Sequence, residues 1–134
     1  MKIEICTPVQ GELPTGNIAT AEQWAKILTS LGHRVRLCES GSYQARPDDD
    51  TDVLIALNGD RSNDAIQLFR ENNSSATVIA AMTGTDIYPE PNRRVLSSLE
   101  VADFIVVLQT NAVDRIPAPL QKKTRVIFQS ATPV

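Results

Sequence analysis

Small polar side chains and glycines recur directly after the apolar runs of this chain, and hydrogen bonding to hydroxyls or phosphate oxygens is the chemistry they can do. Thr7 follows the first run, and Asn58-Gly59-Asp60-Arg61-Ser62 follows the third. Thr83-Gly84-Thr85-Asp86 follows the fourth, Gln109-Thr110 the fifth, and Gln129-Ser130 the last. Any one of these residues could serve only to cap a helix or shape a turn. Thr83 to Asp86 carries more than a turn needs, because two threonines flank a glycine and a carboxylate follows closely on an apolar strand. A second candidate is the loop from Gly11 to Asn17, with glycines ahead of a helix start. Backbone N–H groups there can converge on an anion. The loop has neither the dinucleotide glycine fingerprint nor the Lys-Ser/Thr ending of a phosphate-binding loop, so neither NAD nor ATP is expected.

Other reactive groupings fall away. His33 is the single histidine, which excludes a histidine-rich metal site, and a structural role on the far rim is expected of it. Asp48, Asp49, Asp50 and Asp52 read as a solvated loop rather than a cation site. No serine combines with a histidine and a glycine elbow, as a hydrolase triad requires. Cys6 and Cys38 each lie inside an apolar strand pattern, and two reduced core thiols are the expectation. A redox pair would require neighbouring strands with the two side chains facing each other. No cofactor and no metal are expected.

The elements that must position these residues follow from length and periodicity. At 134 residues, 42% of them hydrophobic, the chain fits one domain with a packed core. The net charge of −3 and pI of about 5.1 offer no basic field for nucleic acid or an anionic membrane. Arg93-Arg94 and Lys122-Lys123 read as solvated surface. A strand is expected from the first residues and no signal peptide is expected, and no apolar run approaches the ~18 residues that span a bilayer. A cytoplasmic location is expected.

Short β-branched runs alternate with helical periodicity. The predicted strands are Ile3–Cys6, Val35–Cys38, Val53–Leu57, Thr77–Met82, Phe104–Leu108 and Arg125–Phe128. Thr20, with Gln23 three residues on, predicts a capping box for a helix whose inner face carries Trp24, Ile27, Leu28 and Leu31. Gly32 fits the left-handed position that ends it. Ser62 should cap a second helix with Ala65, Ile66, Leu68 and Phe69 facing inward, and Arg94–Val101 should form a third. A short helix near Ala112–Ile116 should stop at Pro117 and Pro119. Six strands with crossovers, the inner ones apolar on both faces, predict a Rossmann-like doubly wound α/β fold with a mostly parallel sheet. Right-handed crossovers put every strand's carboxyl end on one rim, where open α/β sheets bind ligands.

Thr7-Pro8, Gly16-Asn17, Thr20-Ala21, Trp24-Ala25 and Leu31-Gly32-His33-Arg34-Val35 resemble the start of a family 4-type glycosyltransferase with the GT-B fold. Ala56-Leu57, Arg61-Ser62, Thr83-Gly84-Thr85-Asp86-Ile87-Tyr88, Val107-Leu108-Gln109 and Gln129-Ser130-Ala131 are more specifically similar to the selenosugar synthases of selenoneine biosynthesis. The resemblance runs from residue 1 to about 131. It implies an amino-terminal, acceptor-side domain, with 132–134 beginning a linker to a carboxyl-terminal donor-binding domain. It further implies transfer of a sugar from a UDP-sugar, such as UDP-N-acetylglucosamine, to selenophosphate. In those terms Gly16, Asn17 and Thr20 would hold the acceptor's anionic group, and Arg61 would offset phosphate charge. Thr85 and Asp86 would face the sugar and the reacting centre, Asp86 as a ligand to sugar hydroxyls rather than a general base. Asn58, Ser62, Thr83, Gly84, Gln109, Gln129 and Ser130 complete the expected substrate site. One departure stands out: Asn58 occupies a position where many relatives carry histidine, and Gly59-Asp60 enlarge the difference. An ordinary hydroxyl acceptor, or a flavodoxin-like binding domain without catalysis, are the alternative readings.

Overall fold

Five-residue stretches such as Val53–Leu57 are apolar at every position, which only a strand covered on both faces can satisfy. The computed structural model of the chain describes residues 1–8, 16–83, 87 and 90–127. In order, its elements are β1 (Lys2–Thr7), α1 (Gly16–Ser30), β2 (Arg34–Glu39), β3 (Val53–Leu57), α2 (Asn63–Asn72), β4 (Thr77–Ala81), α3 (Arg93–Val101), β5 (Phe104–Val107), α4 (Ala118–Gln121) and β6 (Thr124–Val126). Short 3-10 segments occupy Ser40–Ser42 and Thr110–Arg115. The six strands pair in the order β2-β1-β3-β4-β5-β6, and every pair is parallel. This is the Rossmann-like doubly wound sheet the sequence predicts.

Alternate residues of each strand feed two separate cores. Ile3, Ile5, Val53, Ile55, Leu57, Ala81 and Val106 pack beneath Trp24, Ala25 and Leu28 of α1. Cys6, Leu54, Ala56, Val78, Ala80, Ile105 and Val107 face the opposite way, toward Ile66 and Phe69 of α2 and Val95 and Leu99 of α3. The handedness rule explains the division. From β3 onward every crossover moves one way along the sheet and lands on one face, whereas β1 to β2 moves the other way and puts α1 on the opposite face. Beside α1 the sheet therefore keeps an open apolar groove of about 280 Å³, lined by Trp24, Ile27, Leu28, Ile55, Ile79, Val106 and Ile127.

Several local expectations need correction. Helix α1 begins at Gly16, a full turn before Thr20, so Thr20 lies inside the helix, 3% exposed, and is not its cap. Leu68 is 39% exposed, because Ala65, Ile66 and Phe69 already fill the side of α2 that meets the sheet. Ser62 stands at the N-cap of α2, but its hydroxyl makes no capping bond. The segment near Ala112 is a 3-10 helix, and Pro117 and Pro119 open α4 instead of only ending what precedes them. Proline is tolerated in a first helical turn, where its missing N–H has no intrahelical partner to lose. The cap of α3 is Asn92, whose side chain accepts from the Val95 N–H at 2.9 Å. Gly32 does end α1 in the left-handed region, at φ 97°, with the His33 N–H bonded to the Leu28 carbonyl. Phe128, expected in β6, lies outside the described residues.

Candidate functional site

The strand order reverses direction between β1 and β3, and the carboxyl ends of strands at such a switch point are where open α/β sheets bind ligands. Thr7 ends β1 there and Asn58 follows β3, both buried. Asn17 lies in the first turn of α1, partly buried, with Gly16 as the first helical residue and Thr20 one turn on. Thr83 follows β4, partly buried, and Gln109 follows β5, exposed. All of these belong to one rim. At a strand spacing of about 4.8 Å, however, Gln109 is roughly 14 Å along that rim from Thr7. One small anion reaches only the part around β1, β3 and β4. Gly84, Thr85, Asp86, Gln129 and Ser130 lie outside the described residues.

The turn Asn58–Ser62 is heavily braced. Asn58 adopts φ 69°, and its side-chain oxygen accepts the N–H groups of Asp60 and Arg61, each at 3.1 Å. Its own N–H donates to the Ala81 carbonyl at 2.9 Å, joining the turn to the end of β4. Asparagine and histidine are both among the few non-glycine residues that favour this backbone region. Asn58 thus suits this backbone and closes an Asx-type turn with its side chain. Gly59 is closely approached: a Cβ there would lie 3.0 Å from Met82 Cε and 3.4 Å from Val95 Cγ1, so the flexible end of Met82 would have to shift by a few tenths of an ångström to admit one. Asp60 binds Arg94 and Asn92, each at 3.0 Å, and the Ser98 hydroxyl donates to the Gly59 carbonyl at 2.6 Å. The Ser62 side chain, fully buried, lies 2.6 Å from both the Leu57 carbonyl and Ser40 Oγ. Ser62 thus braces the turn, and the Arg61 side chain is exposed beside it.

Glu4 was not singled out by sequence reasoning. It is 1% exposed in the middle of β1 and is held by both terminal nitrogens of Arg46. Arg46 also reaches Asp49 at 3.4 Å, and Asp49 in turn accepts the N–H and hydroxyl of Thr51. Burial opposes ionisation of Asp49, but the Thr51 hydrogen bonds and the Arg46 charge outweigh it and hold the carboxyl below its ordinary range. The hydrogen bond to Glu4 raises the Arg46 pKa further. Tyr43, 8% exposed, has no hydrogen-bond partner for its hydroxyl among the described residues. Burial and the Glu4 and Asp49 charges push that hydroxyl up to about 12. The aspartate loop is accordingly stitched to β1 rather than merely solvated: Asp50 pairs with Lys2, and Asp52 accepts the Lys2 N–H at 2.8 Å. The signal was present in Ile3-Glu4-Ile5-Cys6, because an acid in a strand covered on both faces must find a cation.

Cys6 and Cys38 also differ from expectation. They face each other across neighbouring parallel strands, with Cα atoms 4.8 Å apart, and their sulfurs are joined in a disulfide. Glu4 lies within 4.8 Å of both sulfurs. His33, on the opposite rim as expected, has Nδ1 3.2 Å from the amino terminus. Among the described residues no helix is long and apolar enough to cross a membrane. The chain matches no family model, and no curated protein matches it closely enough to count as a relative.

Proposed function

We propose that the chain is the acceptor-side, amino-terminal half of a GT-B glycosyltransferase, a selenosugar synthase that transfers a sugar from a UDP-sugar to selenophosphate. The observation that supports this reading is the switch point of the strand order, which places Thr7, Asn58 and the first turn of α1 on one carboxyl rim. The amino-terminal N–H groups of a fifteen-residue helix favour an anionic group. The braced Asn58–Ser62 turn presents Arg61 from a fixed backbone, which limits the entropy lost on binding. Positioning of this kind contributes to catalysis by holding acceptor and donor in a reactive geometry. The donor-binding domain is a partner of this half, and the cytoplasm its compartment.

The order β2-β1-β3-β4-β5 is also that of flavodoxin-like binding domains, which favours a non-catalytic reading as the second choice. A single assay separates the two. The complete encoded protein, given UDP-N-acetylglucosamine and selenophosphate, is expected to release UDP, and Asp86→Ala is expected to slow that release by about 10²-fold, as loss of a well-placed transition-state contact does. Unchanged turnover in the variant removes Asp86 from the site. Absence of UDP release from the unaltered protein favours the binding domain or, if another acceptor restores it, a glycosyltransferase for ordinary hydroxyls.

A further inference from the structure

We infer that Cys38 is a site of thiol–disulfide exchange with small thiols and disulfides, and that Cys6 is its buried resolving partner. The two residues are in register, Cys6 opposite Cys38, so formation and cleavage of the bond need no rearrangement of the strands. Their surroundings are unequal. Cys6 is wholly buried within the core on the α2–α3 face. Cys38 is only partly buried, on a strand whose single neighbour in the sheet is β1. Exchange depends on access to the sulfur attacked, and of the two residues Cys38 alone keeps any exposed surface.

The chemistry follows from that asymmetry. A small thiolate attacks Cys38 Sγ, the Cys6–Cys38 bond breaks, and the electron pair leaves on Cys6 Sγ, which takes up a proton. A second small thiolate attacks the external sulfur of the mixed disulfide, releasing a small-molecule disulfide and the Cys38 thiolate. In the oxidising direction the Cys38 thiolate attacks a small disulfide and expels one thiolate. The Cys6 thiolate then attacks Cys38 Sγ and expels the second. Each direction moves two electrons, with the small disulfide as oxidant or the small thiol as reductant. Two residues beyond Cys38, Ser40 Oγ is bonded to Ser62 Oγ at 2.6 Å. The disulfide thus clamps the end of the edge strand that braces the Asn58–Ser62 turn.

The test starts from the reduced chain, exposed under native conditions to oxidised glutathione and followed by intact mass. The wild type is expected to lose two hydrogens and keep no adduct. Cys6→Ser should retain one glutathione, and Cys38→Ser should be modified more slowly by at least about tenfold, as burial of a thiol dictates. Acid-quenched peptide mapping of the wild type during the reaction should place the transient adduct on Cys38, and this reading does not depend on either variant folding. An adduct on Cys6, equal rates in the two variants, or a wild type that keeps both thiols free would overturn the assignment.

Discussion

Arg46→Ala is expected to destabilise the fold by about 3 kcal/mol, because it strands the Glu4 carboxylate among apolar neighbours. Breaking a buried pair by removing one partner costs about 3–5 kcal/mol. The low end applies here, since Arg46 itself is 36% exposed and water can reach part of the vacated space. Glu4→Leu combined with Arg46→Leu should recover most of the loss, because no charge is then left buried. A double-mutant cycle by urea denaturation on Glu4→Leu, Arg46→Leu and their combination measures the difference, and two single variants whose losses simply add would show that the pair does not interact. Asp49 gives the effect a pH signature. Its lowered carboxyl contributes stability that is fully present above the ordinary carboxylate range and lost as pH falls through the folded value. Because Arg46 is one of the groups holding that carboxyl low, Arg46→Ala should flatten the acid limb of the stability curve as well as lowering its plateau.

Asn58→Val should cost a similar amount, about 3 kcal/mol, by a different route. A β-branched side chain at φ 69° meets the left-handed penalty of about 1–2 kcal/mol, and the bonds to the Asp60 and Arg61 N–H groups are lost with a further ~1–2 kcal/mol. Asn58→Gly keeps the backbone region and loses only the bonds, so its cost should be about half. Asn58→His replaces one residue that tolerates this backbone with another, and stability should fall between those of the other two variants. Thermal unfolding of the three ranks them. Equal losses for valine and glycine would mean that the turn does not need the left-handed conformation.

How far the sequence reveals this protein depends on which forces set each feature. Strand positions and the parallel sheet were legible because a run such as Val53–Leu57 has no other stable environment, and the topology then follows from crossover handedness. Thr20 and Gln23 imitate a capping box inside α1, whereas Thr15-Gly16-Asn17-Ile18 lacks the Glu or Gln that completes one, although the helix is already under way at Gly16. Leu68 was assigned inward because four apolar residues in five satisfy several helical faces at once. At the rim, the order of strands located Asn58, Arg61, Ser62 and Thr83. What they do locally was not legible, since it depends on partners distant in sequence: Ser40 for Ser62, and Asn92, Arg94 and Ser98 for the turn. The disulfide was hidden for a related reason. Spacing alone cannot say that the strands of Cys6 and Cys38 are neighbours in matching register.

The central claim is that the carboxyl rim at the β1–β3 switch point takes a small anionic acceptor, and backbone amide chemical shifts of the labelled chain titrated with selenophosphate test it most directly. Saturable shifts are expected at Asn17, across Asn58–Ser62 and at Thr83, with inorganic phosphate producing the same pattern more weakly. No saturable shifts, or shifts confined to the opposite rim around Gly32, His33 and Asp52, would contradict the account.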